Sequence, residues 1–391
     1  MKSMILMMLA LCMSITTMHA QWEKSSGLAA DTIHALTMDP DSPGTVYAGT
    51  ERGVFVSKDN GGSWSMINNG LKYAKVSSIA GKNGLLLAGS WERSGLIRRI
   101  RDPLPSGDVS LSIDGGKNWN SVKNRLTARG ASALAPCSSG FLAATYEDGI
   151  FRTTDTGATW TLVSPKKSFY HLTSAPCGLF AASHHESYRS QDDGLTWQLM
   201  DLGKKCSFIS GIACTGNTIY IAADTIRETH HSGMIMGGEA VSVLLRSTDA
   251  GGHWSALYLP KRPRLHGIYA FGDTLLALFF SSDPSQGGFT SHSIQRNGPL
   301  VVEKGGISLR EADPSPTSSE EPVTDSAEGP AGIHVSIDGG RTWTVVNEGF
   351  PVTHISVLTL RDGYVFAGTY IAGLFRRSMS ELIAAAKAGR K

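Results

Sequence analysis

Three stretches of this sequence carry side chains able to bind or transform a ligand. The first holds Trp91, Glu92, Arg93, Arg98, Arg99 and Arg101, the second His184, His185, Glu186 and Tyr188, and the third Glu228, His230 and His231. Guanidinium groups beside an aromatic ring suit carboxylates, sugars or an acidic protein patch, because Arg offers a planar fork of donors and the ring an apolar face. Two histidine pairs with nearby carboxylates have the donor types of a zinc site. Their spacing matches no zinc signature, and no metal or other cofactor is expected. Glycoside hydrolysis would need two carboxylates at a set separation. Glu92, Asp148, Glu186 and Asp224 are available, but nothing in their spacing selects a pair. The sequence holds no nucleophile elbow, phosphate loop or His-Glu-x-x-His. The expected role is binding, with no catalytic residue assigned.

The elements that must position these groups are written as a repeat. The pattern Ser/Thr-x-Asp-x-Gly-x-x-Trp occurs six times, pairing Asp59 with Trp64, Asp114 with Trp119, Asp155 with Trp160, Asp192 with Trp197, Asp249 with Trp254 and Asp338 with Trp343. Each copy reads as a hairpin turn. The carboxylate accepts from the turn's own amides, Gly takes a left-handed conformation, and the Trp opens the next strand and buries its ring between neighbouring sheets. The aspartates are therefore expected to be structural. Ahead of each box runs a short strand, then a more regular one: TVYAGT, LLLAGS, FLAAT, LFAAS, IYIAAD, LLALFF and YVFAGT, seven copies in all. Every unit reads as strand A, strand B, strand C, box turn and strand D, which is one blade of an all-β propeller. The seventh unit, 355–377, lacks a box and a fourth strand. The stretch from Trp22 to Leu28 resembles the segment after the first box and is expected to complete that last blade, closing the ring and covering its edges.

The box residues resemble the Asp-box, or BNR, repeat of sialidases, sortilin-type receptors and photosystem II assembly factors. The resemblance spans residues 21 to about 377 and implies a β-propeller, to which the seven units give seven blades. Sialidases also need three arginines, an Arg-Ile-Pro segment and a Tyr/Glu pair on a six-bladed ring; this sequence has no Arg-Ile-Pro. Xyloglucan-cleaving Asp-box enzymes use two propellers facing across a cleft. The assembly factors match better in size, and the resemblance implies a partner bound through an arginine-rich surface, for which only the 93–101 cluster qualifies. The expected function is thus non-catalytic recognition of a protein or glycan, with a glycoside hydrolase as the alternative.

Extra length falls between strands B and C at about 91–108, 225–240 and 281–332. In a four-stranded meander these connections share a face with the D–A links and lie opposite the box turns, so all the elaboration decorates one rim. Residues 313–332 are rich in Pro, Ser, Thr and Glu and read as a disordered surface loop. Residues 1–20, with Lys2 ahead of an apolar stretch and a cleavage point near Ala20, read as a signal peptide, so the chain is expected to be secreted or periplasmic, without a membrane span. The net charge of +2 gives no footprint for nucleic acid. Cys137, Cys177 and Cys214 fall near one register in successive repeats and are expected to be small buried residues near the innermost strands; Cys206 and Cys214 flank one strand too far apart to bridge, and the four are not read as a disulfide framework. Residues 378–391 are expected to form a frayed helix.

Overall fold

A computed structural model describes residues 21–28, 31–38, 42–91, 106–123, 126, 130–146, 148–165, 167–183, 185–203, 206–231, 234–257, 259, 264–280, 331–351 and 355–389. Seven four-stranded antiparallel sheets form a seven-bladed β-propeller. Blade 1 shows the pattern, with strands Ile33–Met38, Val46–Thr50, Gly53–Ser57 and Ser65–Met66 in the order A to D. In blade 7 the fourth place is taken by Glu23–Lys24, which pairs with Leu374–Ser378 through Glu23↔Arg376 and Lys24↔Phe375. The N-terminal segment closes the ring, as its likeness to the post-box segment led us to expect.

The B strands are near-continuous apolar runs because each is covered on both faces by neighbouring blades. Val46–Thr50 is buried at every position. The hydrophobic clusters accordingly span seams: Leu87, Val109 and Leu111 of blade 2 pack with Leu134, Phe141 and Ala143 of blade 3. Small residues set the approach. A Cβ on Gly49 would come within 2.8 Å of Val76 Cγ1 of the next blade.

The box turns have one geometry. In all six copies the first hydroxyl donates to the Asp Oδ1 at 2.7–2.8 Å. It also accepts the Gly amide at 2.8–2.9 Å. The residue before that glycine is left-handed too, including Asn60, Thr156, Asp193 and Ala250, so the turn needs two successive positive φ angles. The seventh residue of the pattern, which the four-point motif leaves open, donates side chain to Oδ2 at 2.6–2.7 Å in every copy: Ser63, Asn118, Thr159, Thr196, His253 and Thr342.

The tryptophans sit at the seams. Trp119 donates Nε1 to Ile67 O of the preceding blade at 2.7 Å, Trp160 to Val122 O at 2.8 Å, and Trp22 to Val346 O at 2.8 Å. Trp22 thus does the work of a box tryptophan without a box. Arginines immediately before the box hydroxyl add a second tie. Arg189 Nη1 donates to Ala250 O of the next blade at 2.6 Å, Arg152 Nε to Asp193 O at 3.0 Å, and Arg376, at the matching place in blade 7, to Asn60 O at 2.6 Å.

Three expectations are corrected. The blade 5 insertion is a continuation of its middle strands, Thr218–His231 and Met234–Ser247, paired along their length, rather than a loop. Cys177 and Cys214 form a disulfide, because the A–B turn of blade 4, which holds Cys177, comes beside strand A of blade 5, which holds Cys214; their Cα atoms lie 6.3 Å apart. Cys137 and Cys206 are buried thiols. Finally, Met379–Ala388 is a capped helix, with Ser378 Oγ accepting from Glu381 N, and its Leu382 and Ala386 are buried in the cluster that holds Trp22, Phe350 and Phe375. The burial of these apolar residues offsets the fraying that the short segment would otherwise show. Of the 313–332 stretch, residues 313–330 lie outside the described residues, and Gly332 opens strand C of blade 6.

Candidate functional site

The D–A and B–C connections meet around the mouth of the central channel, where strand A begins and strand B ends. Strand A is bulged here in blade after blade. Register shifts fall at Ile33/Ala35, Val76/Ser78, Ile209/Gly211, Leu265/Gly267 and Ile355/Val357, leaving His34, Ser77, Ser210, His266 and Ser356 as the extra residues. In blades 3 and 4, Ser132 and Tyr170 hold the equivalent place, their amides donating to Ala144 O and Ala182 O. A bulge re-aims a side chain out of the ladder, which is why bulges recur beside functional sites. Here the serines stitch blades together: Ser132, Ser210 and Ser356 donate to the carbonyls of Phe169, Leu265 and Ile33 in the next blade.

The rim comes from one register position at the end of strand B. Aligned on the box hydroxyl's partner, this position is Glu51, Trp91, Tyr146, His184, Asp224, Phe280 and Tyr370; His184 lies outside the described residues. Four of the seven are aromatic. Trp91 is pinned by its Nε1 donating to Ser77 Oγ at 2.6 Å, and it meets Tyr146 edge to face at 5.1 Å. Tyr170 and Phe208 stack at 5.3 Å across the seam of blades 4 and 5, and His266 stacks on Phe280 at 4.3 Å. Tyr146 and Ile371 are exposed to solvent beside them.

Three of the acids at the mouth are paired. Glu51 accepts from His34 and Lys75, each at 2.8 Å. Burial raises its pKa, but these hydrogen bonds and charges outweigh it and leave the carboxyl below its usual value. Asp224 meets Arg264 at 3.1 Å and accepts from Ser242 at 2.7 Å. Glu186 binds Lys167 and the Tyr188 hydroxyl, the latter at 2.7 Å, and Lys167 is the main reason its pKa is lowered. Burial pushes His266 down to about 4, so it is neutral near pH 7.

Of the groups singled out in the sequence, Trp91 stands at the mouth and Tyr188 beside Glu186. His185 is near the Cys206 carbonyl, with Nδ1 at 3.3 Å. His230 and His231 occupy the tip of the blade 5 hairpin, paired by backbone with Ile235 and Met234. Their side chains, with Glu92, Arg93, Arg98, Arg99, Arg101 and His184, lie outside the described residues. Among the described residues no three His, Cys, Asp or Glu groups converge as metal donors. Sequence reading passed over His34, Lys75, Tyr146, Tyr170, Phe208, His266, Phe280 and Tyr370. The signal for three of these was present: aligning the seven B strands brings Tyr146, Phe280 and Tyr370 into one column with Trp91.

A xyloglucanase from Xanthomonas campestris superposes with a TM-score of 0.59 at 14% identity, over 93% of this chain and 54% of that one. The chain thus spans about half the length of that enzyme. YCF48 bound to a D1 peptide gives 0.56 at 14% identity, over 91% of this chain and 96% of that one. The extracellular domain of a putative one-component system from B. thetaiotaomicron gives 0.56 at 9%, over 91% and 40%. The likeness is one of fold. No family model matches the sequence, and no curated protein does. No helix among the described residues is long and apolar enough to cross a membrane.

Proposed function

We propose that this chain is an exported Asp-box propeller that holds a protein or glycan at the D–A/B–C mouth without turning it over. Residues 1–20 are read as its signal peptide and 21–377 as the ring, with 378–391 appended. One observation carries the reading: aromatic side chains from blades 2, 3, 6 and 7 hold the same register position around the mouth, while Glu51, Asp224 and Glu186 are each tied to a cation. Stacking surfaces suit sugar rings and apolar side chains alike. A glycosidase acid needs a raised pKa, and the shifts at Glu51 and Glu186 run the other way. The solved neighbours include a glycan-cleaving enzyme and a peptide-bound protein; the paired acids favour binding.

The test is a glycan array run with the exported chain, alongside turnover assays on xyloglucan and a fluorogenic sialoside. Binding without turnover is expected, with Trp91→Ala and Tyr146→Ala each weakening it by about 2 kcal/mol, roughly thirtyfold. Silence on the array confines the ligand to protein. Hydrolysis of either substrate would sink the proposal.

A further inference from the structure

The B–C turns of blades 3 and 7 share one geometry and carry different side chains. Thr145-Tyr146-Glu147-Asp148-Gly149 corresponds to Thr369-Tyr370-Ile371-Ala372-Gly373. In each, the threonine N–H donates to the glycine carbonyl at 3.0 Å. The threonine hydroxyl donates to that carbonyl too, at 2.9 Å in blade 3 and 2.7 Å in blade 7. The same hydroxyl accepts the amide of the fourth residue, Asp148 N at 3.1 Å and Ala372 N at 2.9 Å. Blade 7 builds this turn with alanine, so the Asp148 side chain is not what forms it.

The Asp148 carboxylate has no other structural partner either. It meets no donor among the described residues, whereas Glu51, Asp224 and Glu186 at the same mouth are each held by a cation. Asp148 is half-buried, and drawing a charge even partly out of water without a partner is unfavourable. Two residues before it stands Tyr146, at 39% the one aromatic side chain among the described residues that is exposed. Tyr146 in turn rests against Trp91 of blade 2.

The donors beside the turn are already committed. Ser164 Oγ accepts from Ile150 N at 2.7 Å and donates to Pro165 O at 3.1 Å. Ser168 Oγ donates to Tyr146 O, and Trp91 Nε1 to Ser77 Oγ. What this turn and its flanks leave for a ligand is an anion, aromatic surface and the Tyr146 hydroxyl. A pyranose carries hydroxyls that accept as well as donate, and so asks its site for donors. A lysine ammonium or arginine guanidinium only donates, and its charge is drawn both to a carboxylate and to ring faces.

We propose that Asp148, with Tyr146 and Trp91, receives a lysine or arginine side chain of a protein partner at the seam of blades 2 and 3. The proposal rests on the mouth being the binding face, and it narrows the ligand there from a protein or glycan to a protein that presents a basic residue.

The test is selection of a random-peptide phage library on the exported chain, followed by titration of the enriched peptides. These should share a lysine or arginine. Replacing it by norleucine or citrulline, which keeps the length and removes the charge, should weaken binding by about tenfold, as should Asp148→Asn against the unaltered peptide. Asp148→Asn should keep the wild-type melting midpoint, because Ala372 shows that the turn forms without a carboxylate. Asp148→Lys should prefer the peptide whose basic residue is replaced by glutamate, and the Asp148→Asn comparison stands even if that variant fails to fold. Enriched peptides without a basic residue, undiminished binding to Asp148→Asn, or a selection that enriches nothing would each overturn the inference. The wider reading of the mouth survives those outcomes if Trp91→Ala weakens the peptides or glycans that do bind. Ligands indifferent to Trp91→Ala and Asp148→Asn alike would remove both.

Discussion

Thr159 and its counterparts at the seventh position complete the hydrogen bonding of each box carboxylate, and bonds from that residue are the largest cause of the low pKa found in these aspartates. Asp59, Asp114, Asp155 and Asp192 are all held at about 2. A carboxylate so fully engaged in its own turn is a structural acceptor. The tryptophan that follows carries the packing. Trp160 is 6% exposed and donates to Val122 O, while Trp64 is only half-buried, with its indole 3.3 Å from Ser25 Oγ. Trp160→Ala should therefore cost about 3–5 kcal/mol, and Trp64→Ala distinctly less. Urea denaturation of both variants checks the order; equal or inverted losses would contradict the seam role given to the ring.

At the level of whole blades the seams are not equivalent. The indole N–H groups of Trp197, Trp254 and Trp343 are buried without a hydrogen-bond partner, so blades 4, 5 and 6 lack the tie to the preceding blade that Trp22, Trp119 and Trp160 make. Cys177–Cys214 crosses one of these seams, between blades 4 and 5. Closing a loop of 37 residues removes conformational freedom from the unfolded chain and is worth about 3–4 kcal/mol. Replacing both cysteines with serine should lower the melting midpoint, and a reductant should lower that of the wild type equally. An unchanged midpoint in both would mean that the bridge adds nothing to this seam. The C-terminal helix braces the closing seam in another way, laying Leu382 and Ala386 over the cluster around Trp22.

Across the whole molecule, acid should destabilise the ring in two stages. His171 and His266 are lowered by burial to about 4, so the unfolded chain binds their protons first. Their contribution is complete above about pH 6.5, the usual histidine value, and is lost as pH falls towards 4. The box aspartates are lowered from about 3.8 to about 2, so theirs is complete above about pH 4 and is lost as pH falls through 2. Melting midpoints measured from pH 8 to pH 2 should decline gently down to pH 4 and steeply below it. His171→Phe, where it folds, should flatten the first stage alone. A midpoint constant between pH 6.5 and 4 would contradict the assignment of neutral buried histidines.

The repeat was legible in the residues themselves. A box turn is a local structure, built from Ser-x-Asp-x-Gly contacts within eight residues, so its six copies, the blade count and the N-terminal closing strand could be read before any coordinates. Trp22 shows how far this reaches, since it was recognised from its downstream sequence without a box. The mouth was only partly legible. Trp91 stood out by type and the aligned B strands hold Tyr146, Phe280 and Tyr370 beside it, but Tyr170 and Phe208 reach the mouth through bulges in strand A and a contact between blades, which no local pattern encodes. The Cys177–Cys214 bridge likewise needed two hairpins from different blades to meet. Local hydrogen bonding and strand periodicity are properties of the chain. Which side chains gather at the axis is decided only when seven sheets close around it.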